Sequence, residues 1–248
     1  MTKADQYRHK LRTMETWDDY LLQESGLPGP RGNIELARAV ADQGERALFE
    51  RYLAYDPISA PTNSPYEFLA FCGVLGQDKL LVEGNRDALQ TLRIFASDPR
   101  WRIREAVAMA LQRYGRVDMD SLLRGMEDWT SGNPLERRAA VAALCEPALL
   151  REDRHAERVL AILDQITTSI VSETDRRSDD FRALRKGLGY CWSVAAAACP
   201  GHGKALMEIW FDSDDRDVRW VMKQNLRKKR LERMDPVWLN AWQAELGM

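Results

Sequence analysis

Residues 98–115, DPRWRIREAVAMALQRYG, decide the fold class. Ile103, Val107, Ala110 and Leu111 fall at i, i+4, i+7 and i+8, which is one face of a helix. An Asp-Pro turn opens the stretch, and Gly115 supplies a stop. The same chemistry returns three times further along the chain, as NPLERRAAVAALC (133–145), DDFRALRKGLGYCW (179–192) and DDRDVRWVMKQNL (214–226). Aligned on one arginine each, these stretches place Arg104, Arg138, Arg185 and Arg219 in equivalent positions, at intervals of 34, 47 and 34 residues.

Each of these helices follows another amphipathic stretch: RDALQTLRIFAS (86–97), DSLLRGMEDWT (120–130), HAERVLAILDQITTSIV (155–171) and GKALMEIWF (203–211). The repeating unit is helix, short acidic or polar turn, helix. A lone helix pair leaves an apolar face uncovered, and stacking successive pairs buries it in a continuous core. The 47-residue interval fits a longer pair with the polar insert SETDRRSDD at its turn. No stretch alternates as a strand would. The expected fold is all-α, an α-α superhelix (solenoid) of HEAT-like helix pairs, armadillo-type in class. A tetratricopeptide array shares a period of about 34 residues, but its Trp/Leu-Gly/Tyr/Ala pattern is not visible here.

The organisation expected is a single domain over 1–248. Residues 1–83 form an irregular N-terminal helical cap, 84–235 hold four helix pairs, and 236–248 make a C-terminal helix. Within the cap, NIELARAVAD and ERALFERYLAYD read as a helix pair with Asn33 as N-cap and Gly44 between them. The segment PISAPTNSP (57–65) reads as a linker setting the cap apart, because its three prolines do not continue a helix.

Composition excludes several classes. The chain has 248 residues, is 45% hydrophobic and 30% charged, and carries a formal net charge of −2. That is globular composition with long charged helices, and any nucleic-acid surface must come from segregated charge. Cys72, Cys145, Cys191 and Cys199 form no CxxC pair and read as small core residues in a reducing compartment. The charged N-terminus lacks the apolar core of a signal peptide, and no apolar run approaches a bilayer span. The expectation is a cytoplasmic protein without membrane contact, monomeric and without a cofactor. His9, His155 and His202 lack metal-ligand spacing, so no metal site is expected. No phosphate-binding or nucleophile-elbow glycine motif occurs, and PGHG near residue 200 reads as a helix-breaking turn.

Trp101, Arg104 and Glu105 at the head of their helix, the pair Arg137-Arg138, and the pair Arg185-Lys186 carry a family likeness. Over roughly residues 84–235 the chain resembles the bacterial HEAT-like DNA alkylation repair proteins, the AlkD-type glycosylase superfamily and its uncharacterised relatives. The resemblance implies a concave face that holds duplex DNA through Arg and Lys. It also implies that aromatic side chains and a carboxylate there engage a cationic alkylated base. Two departures stand out. Relatives often carry a Glu near the position of Ala142, and a polar residue where this chain has Tyr190. Both bear on glycosylase activity more than on fold.

Three constellations follow, each with a bland alternative. The arginines Arg104, Arg138, Arg185 and Arg219 could form a row of phosphate contacts. They could equally bond turn aspartates such as Asp98, Asp179 or Asp217, as inter-repeat ladders commonly do. Residues 216–233 hold eight basic residues against two acidic ones. Arg219, Lys223, Arg227 and Arg230 at i, i+4, i+8 and i+11 read as one helix face, either a phosphate surface or a solvated end cap. Among the eight tryptophans, Trp101 and Trp220 sit beside arginines where stacking on an electron-poor base makes sense, while Trp129, Trp192 and Trp210 read as core.

The catalytic candidates are Glu105 and Trp101. A carboxylate beside a cationic sugar transition state would stabilise it electrostatically. An ordinary first-turn partner of the helix dipole is the competing role for Glu105. The nucleic-acid-binding candidates are Arg104, Arg137, Arg138, Arg185, Lys186, Arg219, Lys223, Arg227 and Arg230. The leading expectation is a HEAT-repeat binding protein facing duplex DNA, with base excision as its chemistry if it is an enzyme. The alternative is a non-catalytic scaffold that takes a protein partner on the same curved face.

Overall fold

The computed structural model describes residues 2–248, and among them the chain is all-helical, with no strand. The backbone packs as two compact units, Met1–Val117 and Asp118–Met248. This division falls between the first and second expected helix pairs.

The first unit contains α1 (Lys3–Arg12), α2 (Asp18–Glu24), α3 (Ile34–Gln43), α4 (Arg46–Leu53), α5 (Pro65–Leu75), α6 (Gln77–Val82), α7 (Asp87–Phe95) and α8 (Trp101–Gly115). Its centre is α5, apolar on every side and buried from Glu67 to Leu75. A helix without a polar face must be covered all round. Here α2, α3, α4 and α8 supply the cover. The approach of α4 requires Gly73, where a Cβ would lie 2.8 Å from the Cβ of Tyr52. Asn33 caps α3 as its position suggests, accepting from the Leu36 N–H at 3.1 Å.

The proline-rich stretch 57–65 is a connection inside this unit, not a boundary. Its chain folds back so that α5 packs on α4, and Arg100 holds the turn shut. The Arg100 Nη1 donates to the carbonyls of Tyr55, Asp56 and Ala60 at 3.0, 3.3 and 3.0 Å. Pro65 then opens α5 at a first-turn position where its missing N–H costs nothing, with Ser64 as cap.

The second unit contains α9 (Met119–Glu127), α10 (Pro134–Leu144), α11 (Asp153–Val171), α12 (Asp179–Ala198), α13 (Pro200–Phe211), α14 (Arg216–Leu226), α15 (Lys229–Met234) and α16 (Pro236–Glu245). Packing follows the pair pattern of the sequence. Helix α10 lies on α12 and α12 on α14, while α9 lies on α11 and α11 on α13. Trp129 and Trp192 fill the core between them. Helices α12 and α13 meet closely at Gly203, where a Cβ would stand 2.4 Å from the Ala196 Cα. The chain breaks at Cys199, and PGHG forms the first turn of α13 with Pro200 leading it.

Two sequence expectations change. The arginines aligned by repeat do not share one helical position. Arg104 and Arg219 are the fourth residues of α8 and α14, whereas Arg138 is the fifth of α10 and Arg185 the seventh of α12. The caps Asn133, Ser178 and Asp215 set the helix starts, and the arginine spacing does not follow them. The basic stripe Arg219, Lys223, Arg227 and Arg230 is not one helix face either. Helix α14 stops at Leu226, and Lys228 is extended at φ −88°, ψ 123° before α15 begins. Leu226 and Leu231 are both fully buried. Five residues apart they point to different sides of a continuous helix, so the chain turns to bury both.

Candidate functional site

In the first unit a cavity of ≈ 200 Å³ opens beside α5 and α8. Leu27, Ile34, Phe68, Phe71 and Met109 make its walls apolar. The Phe68 and Phe71 rings lie nearly parallel, at 5°. Trp101, 47% exposed, marks the side facing solvent. Glu105 also lines the cavity, so the two catalytic candidates share one site.

Two lining residues that the sequence reading passed over supply the buried polarity. Glu67 is fully buried, and its Oε2 accepts from Arg102 Nη1 at 3.3 Å and from the Asn63 N–H at 2.7 Å. Arg102 continues outward: Nη2 donates to the Gly29 carbonyl at 2.6 Å, and the guanidinium lies 4.5 Å from the centre of the Trp101 ring. Glu67 Oε1 and Arg102 Nε have no hydrogen-bond partner. Buried polar atoms without partners are uncommon in folded proteins. The signal in the sequence was a Glu inside the otherwise apolar stretch PYEFLAFCGVL.

The second unit carries a groove of ≈ 490 Å³ between α12 and α14. Arg182, Arg185, Lys186 and Lys228 line it, with Tyr190 and Trp220 between them. Arg185 stacks on Trp220, its guanidinium 4.5 Å from the ring centre, and pairs with the buried carboxylate of Asp217. Asp217 is also held by Arg176 at 3.3 Å. Asp215 caps α14 and pairs with Arg176 at 2.6 Å. Burial works to raise the Asp215 pKa, but Arg176 and two backbone N–H groups outweigh it and hold the carboxyl below its ordinary range. Tyr190, 44% exposed, takes the Arg230 guanidinium over its face at 4.5 Å and accepts its hydrogen bond. Lys228 lies 5.7 Å from the same ring. Basic side chains and the Trp220 and Tyr190 rings that they cover therefore lie along one surface.

The expected binding residues fall in different places. Arg185, Lys186 and Arg230 come to this groove. Arg104 folds back onto its own helix start, donating to the carbonyls of Asp98 and Pro99 at 2.7 and 3.0 Å. Arg137 is buried, bonded to Ser169 and Glu173 at 2.5 Å each, and ties α10 to α11 and the turn that follows it. Arg138 is half-buried, with its aliphatic stem beside Gly187. Lys223 donates to the Leu246 carbonyl at 2.7 Å, while Arg219 and Arg227 are exposed away from the groove lining. Arg182 and Lys228 were not singled out by sequence, because only the packing of α12 against α14 and α15 brings them together.

Among the described residues, no group of three His, Cys, Asp or Glu side chains converges as metal ligands. Cys72, Cys145 and Cys191 are buried, and burial pushes the Cys72 and Cys145 thiols up. No described helix is long and apolar enough to cross a membrane.

No family model matches the chain, and no curated protein matches it. Among solved structures the chain is similar to an engineered protein known from its crystal structure. The two share 14% identity over 94% of this chain and 98% of that one, with a TM-score of 0.36. A likeness at that level carries no argument.

Proposed function

We propose that this chain is a HEAT-like α-solenoid protein that binds duplex DNA through the basic and aromatic groove of its second unit. The observation that carries the reading is the alternation of Arg185, Lys186 and Lys228 with Trp220 and Tyr190 on one surface. Guanidinium and ammonium groups neutralise phosphates, and the Trp220 and Tyr190 rings hold Arg185 and Arg230 at that surface. The net charge of −2 does not oppose this, because binding depends on where the positive charge gathers. The solenoid reading draws support from the lateral contacts of α10, α12 and α14 and of α9, α11 and α13 within the unit. The unpaired, mostly buried cysteines suit a reducing, cytoplasmic setting.

The test is a titration of duplex DNA against the purified chain at several salt concentrations. Affinity that falls steeply and log-linearly with salt supports the reading. Folded protein that binds no duplex at low salt removes it, and leaves the groove to an acidic protein partner.

A further inference from the structure

The cavity of the first unit stands apart from the groove and does not depend on its reading. We infer that it takes a neutral apolar ring, free in solution, of the size of a benzene carrying one or two methyl groups. The size follows from the volume. At ≈ 200 Å³ the cavity is smaller than the roughly 300–1,000 Å³ of sites for drug-sized ligands. It is somewhat larger than a cavity of about 150 Å³ that, lined by Leu, Ile and Phe, stays dry and binds benzene. The ring follows from the walls. Phe68, Phe71 and Trp101 all line the cavity, and contacts between aromatic rings gain beyond the area they bury.

The neutrality follows from the polar groups of the lining, which are committed elsewhere or shut off. Glu67 is fully buried, and its Oε2 is held by the Asn63 N–H and by Arg102. Arg102 Nη2 donates to the Gly29 carbonyl and to Asn63 Oδ1 at 2.6 and 3.2 Å. Glu67 Oε1 and Arg102 Nε are closed off from solvent and present nothing to an occupant. Glu105 has a partner within the protein, and Arg31 is exposed, where water serves its charge. A buried water needs two to four polar partners, and such walls leave it too few. An apolar occupant therefore gains dispersion contacts without displacing hydrogen bonds, whereas a polar one loses its own to water and regains none. Trp101, 47% exposed, stands at the side through which the ring enters.

The experiment is a titration of the full chain with p-xylene and with 2,5-dimethylpyrazine, followed by the Met109 and Ile34 methyl signals and the Trp101 indole signal in NMR. The two rings share one shape, but the pyrazine carries nitrogens on opposite edges, so both cannot face solvent. The expected result is saturable binding of p-xylene that shifts all three signals, with the pyrazine at least about tenfold weaker. Met109→Trp, which fills the cavity, abolishes binding. Two further ligands separate other occupants. p-Toluate keeps the ring and adds a carboxylate for Arg31, and N-acetylphenylalanine amide presents the ring as a partner's side chain would. Each is expected to bind at least about tenfold more weakly than p-xylene. Folded wild type that binds no p-xylene, or that binds the pyrazine, the toluate or the phenylalanine amide as tightly, overturns the inference. The ligand comparison uses wild type only, so it decides even if Met109→Trp does not fold.

Discussion

Arg113 Nε donates to Asp78 Oδ2 at 2.6 Å, while the other oxygen of that carboxylate has no partner. Arg113 is shared, since its Nη2 also reaches Asp42 at 2.6 Å. Burial therefore dominates at Asp78 and pushes its pKa from 3.8 up to about 6, with Arg113 pulling the other way. The folded state binds this proton more tightly than the unfolded chain does. The stability from this group is complete below about pH 4 and is lost as pH rises through about 6. The loss is about 3 kcal/mol at most, since one pKa unit is worth 1.36 kcal/mol. The carboxyls of Asp18, Asp56, Asp118 and Asp235 are held low and act below that window. Urea unfolding at pH 4.5 and 7 should show this slope in wild type and a flatter one in Asp78→Asn.

Arg100 is a structural arginine that Lys does not replace. Its side chain is 1% exposed and bonds Asp98 through Nε and Nη2 at 2.9 and 2.7 Å. Its third nitrogen gathers three carbonyls of the 55–60 turn. Lysine lacks the planar fork and leaves several of these acceptors bare. Arg100→Ala should cost about 3–5 kcal/mol, and Arg100→Lys a large share of that. Denaturant midpoints check the cost, and a midpoint unchanged in Arg100→Lys contradicts it.

Asn225 joins α12 to α14 from inside the core. Its Nδ2 donates to the carbonyls of Leu188 and Val221 at 2.9 and 2.8 Å, and its Oδ1 accepts from the Ser193 N–H at 2.8 Å. The side chain is fully buried, so Asn225→Leu removes these bonds without admitting water. The expected destabilisation is about 2–4 kcal/mol, read from urea unfolding. Amide exchange should rise first in α14.

Lys186 and Lys228 line the groove without ion pairing to a buried carboxylate. Lys186→Gln with Lys228→Gln should leave the melting temperature within about 2 °C of wild type, as surface substitutions do. Duplex affinity should drop, and the slope of log affinity against log salt should shrink by about two. Tyr190→Ala, which removes the ring that holds Arg230 and Lys228 at the groove, should weaken duplex binding as well. Unchanged affinity in both variants places DNA elsewhere.

Much of the helical order was legible because it rests on local rules. Asn33, Ser64, Asn133, Ser178 and Asp215 cap helices, as short polar side chains before apolar periods do. The break after Leu226 was not legible, since residues 216–233 keep their charge period straight through it. Only the need to bury Leu231 shows it. Trp101 and Glu105 were singled out on a family likeness, and they do share a cavity. Glu67 stands out as a charge in an apolar stretch, but nothing local pairs it with Arg102, 35 residues away.

The segment DPRWRIREAVAMALQRYG determined by itself that residues 101–115 are helical and which face is apolar, because a period of 3.6 needs no distant partner. The fates of its arginines were tertiary decisions. Arg100 closes a turn 40 to 45 residues away, Arg102 pairs with a buried Glu, Arg104 returns to its own helix start, and Arg113 bridges two carboxylates. An arginine's guanidinium has no preference written in its neighbours along the chain. Its long stem lets it take whichever acceptors the packed helices leave unsatisfied, and those exist only once the fold has formed.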